Sequence, residues 1–146
     1  MLVQEILKSK SGDAASIVTI DPDRSVADAA ALLGEKRIGA VVVSSDGQQV
    51  EGILSERDIV RQLGKSGGGC LDMTVRELMT ANIVTCAPGD NADRILTAMT
   101  DGRFRHMPVM RDGAMIGVIS IGDVVKARLS ELSMEKQSLE GLITGH

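Results

Sequence analysis

One segment of this chain occurs twice, and that repetition limits the possible folds more than any other feature. Gly52-Ile53-Leu54-Ser55-Glu56-Arg57-Asp58-Ile59-Val60 returns as Gly117-Val118-Ile119-Ser120-Ile121-Gly122-Asp123-Val124-Val125. Both read as Gly, two apolar residues, Ser, two variable residues, Asp, two apolar residues. The match extends upstream. Val18-Thr19-Ile20-Asp21-Pro22 corresponds to Val84-Thr85-Cys86-Ala87-Pro88, and Val26, Ala29, Ala30 and Leu33 correspond to Ala92, Ile95, Leu96 and Met99. Asp46-Gly47 corresponds to Asp112-Gly113, after which the first copy carries one extra residue. Val3–Leu7 resembles Val75–Met79 at a longer spacing, which puts an insertion of the first copy within Ser9–Ser16. Two copies are too few for a solenoid. The simpler reading is a pair of similar units that bury faces against each other.

Each copy reads as β-α-β-β-α behind a short helical lead-in at 3–7 or 75–80. Ile17–Ile20 is a short β-type run that ends at Asp21-Pro22. Val26, Ala29, Ala30 and Leu33 then recur at helical spacing behind Ser25, giving one apolar face. Ala40–Val43 and Val50–Leu54 flank Asp46-Gly47 as a hairpin. Glu56–Leu63 is helical, and Gly64–Cys70, with three consecutive glycines, reads as a flexible connector. The second copy repeats the order, with a strand at 83–86, a helix at 91–102, strands at 107–110 and 115–119 and a helix from 121 to about 140. Gly141 and Gly145 suggest a frayed end. The expected organisation is repeat 1 over 1–66, a Gly-rich linker over 67–74, repeat 2 over 75–130 and a C-terminal helix and tail over 131–146. Helices covering sheet faces make this an α/β (α+β) fold in which the repeats pack with pseudo-twofold symmetry.

Length supports one fused core. A chain of 146 residues buries roughly two-thirds of its unfolded surface, whereas each repeat alone would be marginal. No apolar run approaches the ~20 residues of a membrane span, and the N-terminus lacks a signal-peptide pattern. Cys70 and Cys86 have neither metal spacing nor disulfide-rich context. These features point to the cytoplasm. A net charge of −4 without a long basic run argues against a phosphate-backbone binder. Phe104 is the only aromatic residue, so base stacking on several rings is excluded.

Ser-x-x-Asp has two readings. As a helix cap, Ser accepts a bond from a backbone N–H and the acidic residue reaches back. Ser25-Val26-Ala27-Asp28 has the same form, but its second-copy counterpart, Asn91-Ala92-Asp93-Arg94, keeps the cap and loses the Asp. At Ser55/Asp58 and Ser120/Asp123 both residues are kept. As a binding site, a carboxylate on the first helical turn accepts hydrogen bonds from a ribose cis-diol, and the helix N-terminus suits phosphate. Spacing alone leaves both readings open.

With these residues assembled, the chain resembles a tandem pair of cystathionine-β-synthase (CBS) domains, a Bateman module, of the small stand-alone bacterial type. The marks are the paired Gly-h-h-Ser-x-x-Asp segments (h, apolar), the Val-x-Thr-x-x-Pro openings and Arg105-His106-Met107-Pro108-Val109, over about residues 1–130. The resemblance implies a non-catalytic regulatory module that binds adenine nucleotides (AMP, ADP, ATP or NAD(H)) in clefts between the repeats. It implies a homodimer and a regulated enzyme or transporter as partner. Ser55, Asp58, Ser120 and Asp123 would bind ribose. Arg57, Arg105 and His106 would bind phosphate. Thr19, Ala40, Val41, Thr85, Met107 and Pro108 would line the adenine pocket. The first copy has Gly39-Ala40 where the second has Arg105-His106, so the two sites are expected to be related but unequal. The alternative is a structural or interaction module with empty clefts.

Other motifs fall away. Gly64-Lys65-Ser66 resembles the end of a phosphate loop, but Ile59 stands where that motif requires Gly. Ser120 lacks the first glycine of a nucleophile elbow, since Val118 stands two residues before it. No cluster has metal spacing, and the eight methionines read as core filler. His106 has the alternative of an ordinary structural histidine, and one of Arg103 and Arg105 that of a solvated one. Nothing assembles an acid, a base and a nucleophile, so no catalytic residue is assigned.

Overall fold

The computed structural model describes the backbone of residues 1–10 and 17–144, and their side chains as far as residue 139. The elements are α1 (Val3–Ser9), β1 (Thr19–Ile20), α2 (Val26–Lys36), β2 (Ala40–Val43), β3 (Gly52–Ser55), α3 (Glu56–Ser66), a 3-10 helix (Gly67–Asp72), α4 (Val75–Leu78), α5 (Ala92–Gly102), β4 (His106–Arg111), β5 (Ala114–Ser120) and α6 (Ile121–Thr144). The fold is mixed α+β, and each repeat follows the expected element order except at residues 83–86. The insertion assigned to Ser9–Ser16 falls mostly, and Gly145 entirely, outside the described residues.

The chain forms two compact units, which do not coincide with the two repeats. The first-repeat unit comprises residues 17–85 and the hairpin tip 110–116. Its sheet has the order β1-β2-β3. β1 runs parallel to β2, with Thr19 opposite Val42. β2 runs antiparallel to β3, with Ala40 opposite Ser55 and Val43 opposite Gly52. Val26, Ala29 and Leu33 of α2 are buried, together with Ile20, Val41, Val43, Leu54, Ile59 and Val75. Removing a side chain such as Leu54 from water contributes about 1.5–3 kcal/mol. Ser25 caps α2 by accepting the Asp28 N–H, and the helix stops at Arg37 in the left-handed region (φ 55°).

The second-repeat unit contains the described residues of 1–16, 86–109 and 117–146. Ala92, Ile95 and Met99 of α5 pack with Met107, Val109, Ile119, Val124, Val3 and Ile6. The expected single fused core is therefore two separate clusters, one per unit. The strand expected at 83–86 is reduced to an isolated parallel bridge between Cys86 and Val109. Cys86 N–H donates to the Pro108 carbonyl at 3.0 Å. Pro108 has no N–H to offer in return, so the ladder does not extend.

The lead-in helices are exchanged between repeats. α1, from the start of the first repeat, docks on the α5 N-terminus. Val3 N–H donates to Asp90 O and Ala92 N–H donates to Met1 O, both at 2.9 Å. α4, from the start of the second repeat, docks on α2 through Val26 N–H to Met73 O and Val75 N–H to Arg24 O, both at 2.8 Å. The run 64–70 is not the flexible connector its glycines predict. α3 continues to Ser66, the 3-10 helix follows, and Cys70 is 1% exposed within it. Burial of Cys70 and the bonds at Met73 and Val75 order a segment that glycine content alone would leave loose.

Candidate functional site

Both Ser-x-x-Asp segments lie where a strand passes directly into a helix. Ser55 ends β3 in extended conformation and caps α3. Asp58 N–H donates to Ser55 Oγ at 3.2 Å, and Asp58 Oδ2 accepts the Ser55 N–H at 2.9 Å and the Ser55 hydroxyl at 3.0 Å. Ser120 and Asp123 repeat this at the start of α6, with Asp123 N–H to Ser120 Oγ at 3.1 Å and Ser120 N–H to Asp123 Oδ2 at 2.8 Å. Both pairs are thus closed capping boxes, a geometry that satisfies otherwise unpaired N–H groups of the first turn. Ser25–Asp28 is not closed. Asp28 gives its N–H to Ser25 Oγ, but its carboxylate pairs with Arg24 Nε at 3.1 Å.

Capping uses one carboxylate oxygen. At Asp58 and at Asp123 the bonds all end on Oδ2. Oδ1 takes no donor among the described residues. Each half-buried carboxylate therefore keeps one acceptor for an incoming hydroxyl while the other holds the helix start.

The motif glycine has a packing role. A Cβ on Gly52 would lie 2.7 Å from Met79 Sδ and 2.8 Å from the Thr80 carbonyl oxygen, and one on Gly117 would lie 2.7 Å from Leu7 Cδ2. These are the exchanged lead-ins, which approach β3 and β5 closely because no side chain intervenes.

Backbone register brings the other candidates alongside. Glu56 N–H donates to the Gly39 carbonyl at 2.9 Å, and Ile121 N–H donates to the Arg105 carbonyl at 2.8 Å. Gly39-Ala40 thus borders the α3 N-terminus, and Arg105-His106 borders that of α6.

A sequence profile of the CBS domain matches residues 12–65 and 75–130. The chain belongs to the CBS domain family. It is 36% identical over 148 residues to the mitochondrial CBS domain-containing protein CBSX3 of Arabidopsis thaliana, a match covering 98% of this chain and 72% of that one. The structure of a CBS-domain containing protein from Agrobacterium tumefaciens superposes with a TM-score of 0.82 at 42% identity, covering 88% of this chain and 99% of that one. The CBS domain pair of protein MJ0100, solved with 5′-methylthioadenosine and S-adenosyl-L-methionine, shares the fold at a TM-score of 0.76 and 23% identity, covering 90% and 98%. Among the described residues, no helix is long and apolar enough to cross a membrane.

The first CBS repeat gathers Ser55, Asp58, Ala40 and the exposed Arg57 around the start of α3. Thr19 lies on β1 across from Val42, one strand away. In the second CBS repeat, Ser120 and Asp123 open α6, and the Arg105 carbonyl, with His106 next in the chain, borders that start. Arg105 is exposed, His106 is half-buried and Pro108 is buried. Val41 and Met107, expected to line an adenine pocket, pack into the two cores at 2% and 1% exposure. Thr85 is exposed, next to the bridge at Cys86.

Lys10 was not legible as a site residue. Its Nζ donates to Asp123 Oδ2 at 3.0 Å and to the Val118 carbonyl at 2.9 Å. Burial pushes the Asp123 carboxyl up. The Ser120 N–H and the Lys10 bond and charge outweigh this and hold it below its usual value of 3.8. The only sequence signal was the repeated lead-in itself, which marks α1 as part of a unit without saying which one.

Proposed function

We propose that this CBS-domain chain is a non-catalytic regulatory module that binds adenine nucleotides, AMP, ADP, ATP or NAD(H), and signals their level to a partner enzyme or transporter. The observation that carries this reading is the doubled Ser–Asp box with an uncommitted Oδ1 at a helix N-terminus. A ribose hydroxyl donates to that oxygen, while first-turn N–H groups and the dipole end favour phosphate. Arg57 serves phosphate at the first site, and Arg105 and His106 serve it at the second. Thr19, Ala40, Thr85 and Pro108 are assigned to the base, with Val41 and Met107, whose side chains are committed to the cores, contributing backbone alone. The fold relative solved with 5′-methylthioadenosine and S-adenosyl-L-methionine supports the choice, since both ligands carry adenosine. Val60, Leu129, Met134 and Leu139 are each at least 60% exposed. Exposed apolar side chains on α3 and on α6 each suit burial in a homodimer. Both cysteines are free and buried, which suits a reducing compartment such as the cytoplasm.

Calorimetric titration with AMP, ATP and NADH tests the proposal, with thermal melting beside it. Ligand at 100 times Kd adds about 2.7 kcal/mol, a shift of about 5–10 °C for a chain this size. No heat and no shift at millimolar nucleotide would overturn the reading. The closed capping boxes favour a second one, an interaction module whose Ser–Asp pairs only cap helices. It predicts that Asp58→Ala lowers stability with no nucleotide binding to lose.

A further inference from the structure

We propose that Lys10 is a ligand-binding residue of the Ser120–Asp123 site and selects there for phosphorylated over unphosphorylated adenosine, an inference that rests on the nucleotide-binding reading above. The two Ser–Asp sites serve as mutual controls, because their caps agree closely. Ser N–H to Asp Oδ2 is 2.9 Å in one and 2.8 Å in the other, and Asp N–H to Ser Oγ is 3.2 and 3.1 Å. They differ in the remaining donor to Oδ2. At Asp58 it is the neutral Ser55 hydroxyl, at 3.0 Å. At Asp123 it is the Lys10 ammonium, also at 3.0 Å.

An ammonium has three N–H donors. Lys10 commits one to Asp123 and one to Val118, and the third meets no partner among the described residues. The side chain is 17% exposed, so it is fixed by the protein yet reached by solvent. Its backbone N–H donates to the Leu7 carbonyl at 3.3 Å at the end of α1, which is tied to Asp90 and Pro88 through Val3 and Gln4 N–H, both at 2.9 Å.

Local charge then separates the sites. The first turn of α3 carries Glu56, Arg57 and Asp58, one more anion than cation. The start of α6 has the uncharged Ile121 and Gly122 before Asp123, with Lys10 bonded to that carboxylate and Arg105 bonded through its carbonyl to Ile121. Lys10 and Asp123 balance there, without the extra anion of the first site. A carboxylate beside a phosphate would repel it. Lys10 cancels this repulsion only in the second site and leaves Oδ1 for ribose.

The test isolates the second site in an Asp58→Ala chain and titrates adenosine, AMP and ATP calorimetrically, with and without Lys10→Met. Loss of a charge-assisted bond should weaken ATP binding about 10- to 100-fold, adenosine binding should change less than about threefold, and Lys10→Arg should recover most ATP affinity by keeping the charge. Lys10→Gln, closer in polarity, should reproduce the loss if Lys10→Met does not fold. Unchanged or tighter ATP binding in the Met or Gln variant overturns the proposal. So does an equal loss for adenosine and ATP, which would make Lys10 only a support for Asp123. A parent chain that binds no adenine nucleotide overturns the functional reading and this proposal together. A parent that binds, with a Lys10 variant that binds ATP equally, overturns this proposal alone.

Discussion

Gly52→Ala and Gly117→Ala are the same change at equivalent positions of the repeat, and the structure predicts unequal costs. At Gly117 the new methyl meets Leu7 Cδ2 at 2.7 Å, with Leu7 Cδ1 at 3.3 Å. Those atoms end a flexible, half-buried side chain that can rotate away. At Gly52 it meets Met79 Sδ at 2.7 Å, which can also move, and the Thr80 carbonyl oxygen at 2.8 Å, which cannot. Thr80 is held by Ile53 N–H to Thr80 O at 3.0 Å and by Thr80 N–H to Ile53 O at 2.9 Å. Relieving the contact strains one or both bonds, each worth about 1 kcal/mol, on top of about 1–3 kcal/mol for overpacking. Losing a glycine from the unfolded ensemble returns about 0.4–1 kcal/mol in both variants. Gly52→Ala should therefore cost about 2–4 kcal/mol, and Gly117→Ala about 1 kcal/mol or less. Urea unfolding followed by far-ultraviolet circular dichroism measures both, provided each transition keeps the parent m-value. A Gly117→Ala cost equal to or above that of Gly52→Ala would refute the assignment of these glycines to lead-in packing.

Asp58→Ala should weaken AMP binding at the first site about 10- to 100-fold by loss of the ribose acceptor, whereas Asp28→Ala, at a box that does not close, should leave it within about twofold; equal effects in titration would reduce both residues to caps. The Asp123 carboxyl is held below its usual value. The folded chain then binds fewer protons than the unfolded one, so the stability Asp123 lends is complete above that usual value and is lost as pH falls through the lower folded value. Asp123→Asn should flatten the loss of stability below about pH 5, and an unchanged slope in acid-titrated melts would contradict the pairing with Lys10. Burial, aided by the Asp90 charge, pushes the Cys86 thiol up to about 12, and Cys70 is buried. Neither should react with a thiol reagent at pH 8 until the chain unfolds; fast labelling of the native protein would show that one of them is accessible.

Much of this was legible because helices and strands repeat at different periods. Val26, Ala29 and Leu33 marked α2 through their spacing, and Ile95 and Met99 marked α5. The hairpin turn at Asp112-Gly113 was legible in its residue types, and both have positive φ, 52° and 79°. The 83–86 strand failed because its partner's Pro108, a long-range matter, denies it a ladder. Gly64–Cys70 reads as a loose connector because glycine content speaks for local freedom, while the burial of Cys70 is a tertiary fact. The Ser–Asp chemistry was visible as an ambiguity, and the structure shows why: one oxygen of each carboxylate caps and the other is uncommitted. Lys10 was invisible because it reaches Asp123 across 113 positions of sequence.

The exchanged lead-ins also set an order of events on the ribosome. Val3 and Ile6 are made well before the residues that bury them, among them Ile95, Val109 and Val124. The first-repeat sheet and its α4 are complete by residue 80 and can close while α1 waits with its apolar face in water. α1 thus precedes the first-repeat sheet in sequence yet docks on residues that follow it, and such long-range closure slows folding. A nascent chain stalled before α6 would display Val3 and Ile6 to chaperones and proteases, whereas a released one would not.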